Sequence, residues 1–199
     1  MVDSHAITGL VLAGGRGTRM GGVDKGLQDF HGQPLALHAL ERLRQQVGPL
    51  MLSANRHLGD YAAFGVPVWP DADADFAGPL AGMLAGLLHC STPYLATVPC
   101  DAPLFPHDLV ARLASVDADI VVAAAPDAMG VVHRQPVFCL LRADLRDSLA
   151  EFIASGGRKV GQWMAQQHCV AVPFADPQAF FNANTATELA SLSPSVKFT

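Results

Sequence analysis

The fifteen residues from Leu12 to Gly26, Leu-Ala-Gly-Gly-Arg-Gly-Thr-Arg-Met-Gly-Gly-Val-Asp-Lys-Gly, place six glycines around Arg19 and Lys25. Glycines carry no side chain and tolerate positive φ, so successive amide N–H groups can turn toward one anion. Arg19 can grip two phosphate oxygens at once, and Lys25 adds a point charge. The chemistry open to such a loop is to hold a polyphosphate and to neutralise charge as a phosphorus centre reacts. A turn that only packs a helix against a strand needs one or two of these glycines, not six.

Three phosphate loops compete for this stretch. A Walker loop requires Ser or Thr after the lysine, and Gly26 stands there instead. A dinucleotide fingerprint requires GxGxxG, which Gly15, Gly17 and Gly21 miss by one residue. It also wants an acidic residue at the end of the second strand, where Ser53-Ala-Asn55 occurs. The third is a nucleotidyltransferase loop, a long glycine-rich excursion that ends at a lysine.

Acidic and amide side chains follow other apolar runs. Asp101 sits between Pro99 and Pro103, both of which stiffen the chain. Its carboxylate can bind Mg²⁺, a hard cation that takes one or two carboxylates plus substrate phosphates. It can equally cap a helix or make a turn, and the residues alone leave both roles open. Asp71 closes the run Val66–Trp69, and Asn55 offers a donor and an acceptor suited to a sugar or base edge. Asp73 and Asp75 belong to a solvated loop. Gly78 and Gly82 bracket a helix start, where they permit either close approach of a base or tight helix–strand packing. The eight histidines form no HxxxH or HExxH pattern, and no GxSxG elbow is present. The four cysteines are scattered, with no CxxC pair, which argues against zinc and against a disulfide framework.

The loop LAGGRGTRMGGVDKGL resembles the signature of the molybdenum cofactor guanylyltransferases. The resemblance continues in order through Ser53-Ala-Asn-Arg56, Pro70-Asp71, Gly78-Pro-Leu-Ala-Gly82, Pro99-Cys-Asp-Ala-Pro103, Arg158-Lys-Val160 and Phe181-Asn-Ala-Asn-Thr185, nearly the whole chain. It implies transfer of GMP from GTP to the terminal phosphate of molybdopterin carrying molybdenum, with pyrophosphate released and Mg²⁺ held by Asp101. By the same resemblance, Leu12, Ala13, Gly14, Gly15, Lys25, Asn55, Asp71, Gly78 and Asp101 contact the nucleotide. Arg19, Lys25 and Asp101 carry the catalysis, and Arg158, Asn182 and Asn184 receive the acceptor. Asn side chains suit a flat, donor- and acceptor-rich pterin, although turn and cap chemistry competes, above all for Asn184. Cofactor-biosynthesis or molybdoenzyme-maturation proteins are the implied partners. Two positions depart from the family pattern. Ser53 stands where some relatives carry a second Asn, and Gln135 stands where relatives have a His before the Pro-Val-Phe strand, with His133 a candidate to substitute. A cytidylyltransferase acting on the same cofactor, or a non-catalytic GTP-binding or carrier protein, are the alternatives.

These residues need elements that bring them together. Short apolar runs alternate with helical patterns, the signature of βαβ units and a mainly parallel sheet. Strands are expected at 7–12, 50–54, 66–69, 93–98 and 118–125, then an antiparallel one at 136–141 and an edge strand at 170–174. Helices are expected at 34–47 with Pro34 in the first turn, at 78–90, from Pro106, over 142–167 with a break at Gly156-Gly157, and from the capping box Thr185–Glu188. The expected fold is a three-layer αβα, Rossmann-like nucleotidyltransferase fold, mainly parallel with one antiparallel strand. Ligands in such sheets bind outside the carboxyl ends of the strands, where the loops with Arg19 and Lys25, with Asp71 and with Asp101 all fall. A length of 199 residues suggests one domain, its nucleotide part at about 6–105 and its acceptor part at about 106–199. Half the residues are apolar and 16% charged, as in a compact folded chain. The net charge of −5, with Lys and Arg scattered, gives no reason to expect a nucleic-acid partner. Without a leader pattern or a long apolar run, the expected location is the cytoplasm, with no membrane contact.

Overall fold

The computed structural model describes residues 2–14, 24–71 and 78–182. A seven-stranded sheet runs in the order β5-β4-β1-β6-β8-β7-β9. Its strands are β1 (Ile7–Leu12), β4 (Leu50–Ser53), β5 (Val68–Trp69), β6 (Tyr94–Pro99), β7 (Ile120–Pro126), β8 (Val132–Arg142) and β9 (Cys169–Pro173). All neighbouring pairs are parallel except those made by β8, which is antiparallel to both β6 and β7. A two-residue hairpin, β2 (Asp29–Phe30) with β3 (Gln33–Pro34), stands apart from the main sheet.

β1 is central, and the alternation of its side chains shows it. Ile7 and Val11 enter one core and Leu10 enters the other. The first core is closed by α1 (Leu35–Arg44) through Ala36, Ala39, Leu40 and Leu43, by α2 (Leu58–Ala62) through Tyr61, and by α4 (Leu109–Leu113). The second is closed by α3 (Pro79–His89), α5 (Arg146–Ala154) and α6 (Val160–Met164), with Trp163 fully buried. Three layers result, as expected. Gly9 sits where α1 crosses β1: a Cβ there would lie 2.8 Å from side-chain carbons of Leu43, Val47 and Leu50. Among the described residues, no helix is long and apolar enough to cross a membrane.

Some boundaries differ from the sequence reading. β5 begins at Val68 instead of Val66, and Pro34 caps α1 instead of entering its first turn. β8 begins at Val132, four residues before the expected Pro136. Its pairing with β7 jumps from Val122↔Cys139 to Ala123↔Gln135, so residues 136–138 form a bulge. A proline cannot donate to a ladder, and the bulge is where β8 needs no such donor. The capping box at Thr185–Glu188 lies outside the described residues.

Candidate active site

The parallel register aligns the carboxyl ends of four strands. Leu12 pairs with Ser53 and with Pro99, and Ser53 pairs with Trp69. Main-chain bonds carry the ladder a step further, from Ala13 N–H to Ser53 O (2.8 Å), Ala54 N–H to Trp69 O (3.1 Å) and Cys100 N–H to Leu12 O (3.0 Å). Gly14, Asn55, Asp71 and Asp101 therefore emerge side by side at one edge, the place where open parallel sheets hold ligands.

Two polar clusters occupy that edge. In the first, Asn55 Nδ2 donates to Asp71 Oδ2 (2.7 Å), while the Asp71 N–H donates to Asn55 Oδ1 (2.8 Å). Ser53 Oγ adds a third bond to Asp71 Oδ1 (3.3 Å). Burial raises the Asp71 carboxyl above the usual carboxylate range, and the bonds from Asn55 and Ser53 only partly offset it. Gly14 lies against this cluster: a Cβ there would stand 3.3 Å from Asn55 Nδ2 and 4.0 Å from Asp71 Oδ1. The Ser53 hydroxyl is buried and tied to Asp71.

In the second cluster, Lys25 Nζ approaches Asp101 Oδ2 at 3.4 Å, across 76 residues of sequence. Both side chains are partly exposed, so the pair faces the open edge. Lys25 begins a short 3₁₀ turn, Lys25–Leu27, capped by Asp24, whose Oδ1 accepts from Gly26 N–H (3.1 Å) and from the hydroxyl of Tyr61 (2.6 Å). The loop bearing Asp101 is fixed at its near end by Cys100 N–H on Leu12 O. At its far end Gln46 Oε1 accepts from Val110 N–H (3.0 Å) and Nε2 donates to Pro106 O (3.1 Å) and Arg42 O (3.3 Å). Arg42 donates from Nε to Phe105 O and lies over the Phe105 ring. Burial lowers the Arg42 pKa. Sequence reading singled out neither Tyr61, whose helix α2 it did not predict, nor Gln46, which sits at the end of a predicted helix; each meets its partner only through the tertiary fold.

β7 is parallel to β6, so its carboxyl end reaches the same edge, two strands from Asp101. A cavity of about 320 Å³ opens there, lined by Asp127, His133, Gln135, Phe180, Phe181 and Asn182 among others. His133 Nε2 and Asp127 Oδ2 are 2.8 Å apart. That bond, together with main-chain donors from Val131 and Met129, holds the Asp127 carboxyl below the usual range. The structure thus brings Asn182, Gln135 and His133 to one cavity. Arg158 lies elsewhere, after α5 on the second-core face, and donates to the carbonyls of Ile153 and Gly157. Gly78 precedes α3 in extended backbone, and among the described residues none lies within 4 Å of where a Cβ would stand. Gly82 is a packing glycine: a Cβ would come within 2.6 Å of Leu12 Cδ2 and 3.0 Å of Ser53 Oγ. Gly15, Arg19 and Asn184 lie outside the described residues, as do Asp73 and Asp75.

This geometry can be set beside known proteins. The family model for the MobA-like NTP transferase domain matches residues 9–170. The chain belongs to that family. A molybdenum cofactor guanylyltransferase of Acidovorax sp. (strain JS42) is 60% identical over 205 residues, covering 96% of this chain and 97% of the relative. One from Methylibium petroleiphilum is 58% identical over 199 residues, covering 96% and 98%. Among solved structures, the molybdopterin-guanine dinucleotide biosynthesis protein A of Archaeoglobus fulgidus superposes with a TM-score of 0.71 at 19% identity, covering 92% of this chain and 95% of that one. The 4-diphosphocytidyl-2C-methyl-D-erythritol synthase of Anaerococcus prevotii gives 0.73 at 12% identity, covering 96% and 95%. Those likenesses are of fold. The family is thus one of nucleotidyltransferases, and this member is such an enzyme, acting in molybdenum cofactor synthesis.

Proposed function

We propose that the chain transfers GMP from GTP to the terminal phosphate of molybdopterin carrying molybdenum, forming the guanine dinucleotide cofactor and releasing pyrophosphate. The observation that carries the reading is the 3.4 Å approach of Lys25 to Asp101, beside the Ser53–Asn55–Asp71 cluster and the Ala13–Gly14 backbone, at one sheet edge. In this reading Leu12 to Gly15, Asn55, Asp71 and Gly78 hold the nucleotide. An oxygen of the acceptor phosphate forms a bond to the α-phosphorus, the bond from that phosphorus to the β-phosphate oxygen breaks, and pyrophosphate takes the electron pair. A phosphate monoester is nucleophilic near neutral pH, so positioning and charge stabilisation suffice without a strong base. Lys25 neutralises charge on the transferred group, with Arg19 as its partner in that role.

Asp101 fits Mg²⁺. Among the described residues no three His, Cys, Asp or Glu side chains gather around one point. A site of one carboxylate completed by phosphate oxygens and water is a common way to bind this ion. Bound there, the ion would polarise phosphate oxygens. The acceptor belongs in the cavity beyond β7, with Asn182 against the pterin and His133, braced by Asp127, near its phosphate. This divides one sheet into a nucleotide part at about 6–105 and an acceptor part at about 106–199. Four free cysteines, two of them buried, support a reducing compartment, the cytoplasm.

The test is pyrophosphate release by the purified protein with molybdopterin and Mg²⁺, comparing GTP, CTP and ATP. Turnover is expected with GTP. It should vanish in Asp101→Ala and fall by roughly 10²-fold in Lys25→Ala, the size of one lost electrostatic donor. Preference for CTP, near-normal turnover of Asp101→Ala, or GTP binding without turnover would each overturn the proposal.

A further inference from the structure

The hydroxyl of Tyr61 is out of place for a residue that only fills the core. Tyr61 is fully buried on α2, packed edge-on against Phe64 with ring centroids 5.7 Å apart. A phenylalanine would satisfy that packing. Instead the ring carries its oxygen to within 2.6 Å of Asp24 Oδ1, and Asp24 is itself 9% exposed. The same carboxylate oxygen accepts the Gly26 N–H and so caps the turn that begins at Lys25. Gly26 completes the arrangement, because a Cβ there would lie 2.3 Å from the Tyr61 hydroxyl. The turn has no side chain at the one point where the phenol must pass.

Burial first, then the bond to Asp24, pushes the phenol well above its ordinary range, so it stays a proton donor throughout the working range of the protein. α2 also begins three residues after Asn55, the amide that clamps Asp71. One side chain therefore links the segment carrying Asn55 to the turn carrying Lys25.

We propose that Tyr61 is a positioning residue for nucleotidyl transfer, its hydroxyl holding the Asp24-capped turn so that the Lys25 ammonium stays beside Asp101. The inference rests on the functional reading above. Without the hydroxyl, the turn keeps its Gly26 bond and the packing of Leu27 but loses its hydrogen bond to α2. Lys25 then samples positions an ångström or so away, enough to cost catalysis on the order of 10- to 10²-fold when a group must meet a transition state. In this reading, ground-state binding of GTP depends on the Asn55–Asp71 cluster and the Ala13–Gly14 backbone, whereas the Tyr61 hydroxyl bonds to Asp24.

Tyr61→Phe removes one oxygen and leaves the ring. The expected result is a fall in kcat of at least about 10-fold, with KM for GTP and the calorimetric GTP affinity within about three-fold of wild type. Gly26→Ala drives a methyl into the hydroxyl and should lower kcat similarly, whereas Tyr61→Phe with Gly26→Ala should be little worse than Tyr61→Phe alone. Val47→Ala, a core truncation of α1's flank away from the turn, supplies a variant of reduced melting temperature whose kcat should stay at the wild-type value. If Tyr61→Phe turns over like wild type, or loses GTP affinity in step with kcat, or if the two substitutions multiply their effects, Tyr61 does not position the lysine. Should Tyr61→Phe fail to fold, Gly26→Ala with normal kcat refutes the idea by itself. Absence of GMP transfer in the wild type would instead count against the functional reading.

Discussion

Gln46 offers a way to separate what holds the Asp101 loop from what holds Asp101. Its amide bridges α1 to the start of α4, accepting Val110 N–H at 3.0 Å and donating to Pro106 O at 3.1 Å and Arg42 O at 3.3 Å. Val110 occupies the first turn of α4, where the helix itself supplies no acceptor, and Asp108 makes no side-chain cap. Gln46→Met is nearly isosteric, so it creates little cavity and deletes only the polar function. Stranding the buried Val110 N–H, together with losing the amide's donation to the partly buried carbonyls, costs about 2–3 kcal/mol. In a chain of this length each kcal/mol is worth about 2–4 °C, so the melting temperature should drop by about 4–12 °C.

Catalysis should respond differently. Asp101 sits next to the near anchor of its loop, the Cys100 N–H bond to Leu12 O at 3.0 Å, between Pro99 and Pro103. Gln46 governs the far anchor. At a temperature where the variant is fully folded, kcat should therefore stay within about three-fold of wild type, as expected when the reacting groups keep their places. Thermal melts and steady-state pyrophosphate release on the same preparation check both statements. A melting temperature unchanged within about one degree would show that water satisfies Val110 N–H and that the bridge stabilises nothing. A large loss of kcat in folded protein would refute the separation of the two anchors.

Two further substitutions test the nucleotide side. Asp71→Asn should weaken GTP binding yet leave the free protein at least as stable as wild type at about pH 7. The native carboxyl has a raised pKa, so its stability contribution falls as pH rises from the ordinary carboxylate range through the raised value; melts taken across that interval should show wild type losing ground to the variant, and a gap of the opposite sign would show that the cluster prefers the anion. Gly82→Ala should cost about 1–3 kcal/mol, because its methyl meets Leu12 and Ser53, and should weaken GTP binding as well, since Ser53 is tied to Asp71; denaturant melts with calorimetry would expose an error if stability fell and affinity did not.

Much of the frame was readable in advance, and the failures share a cause. β1 ends at Leu12 in both readings because an apolar run meets a glycine cluster, two local signals that agree. β8 was read as starting at Pro136 because Val132 to Gln135 are exposed or half-buried and carry no strong strand pattern. Only its register against β7 across the bulge makes that segment a strand. The β2–β3 hairpin has two residues per strand, too few for any period to show. Asp71 and Asn55 are legible through the family resemblance, yet their mutual bonds join residues 16 apart on different loops. Tyr61 and Gln46 carry no motif. Their partners lie 37 and 64 residues away, and a long-range bond leaves no local trace.

Among the described residues, three carboxylates near this sheet edge also differ in a way that bears on the roles proposed for them. The chain is acidic, and a triphosphate approaching this edge would meet Asp24, Asp71 and Asp101. Asp24 is spent beneath the surface on Tyr61 and Gly26. Asp71 is clamped by Asn55 and Ser53, its oxygens occupied by donors that do not leave. Asp101 meets a lysine ammonium at 3.4 Å, longer than a good charge-assisted bond of about 2.7–2.9 Å, and its carboxylate is partly exposed. A cation needs oxygens that can be released to it at little cost. Of the three, Asp101 joins a long contact to a partly exposed position at the edge, which is what the metal role proposed for it requires.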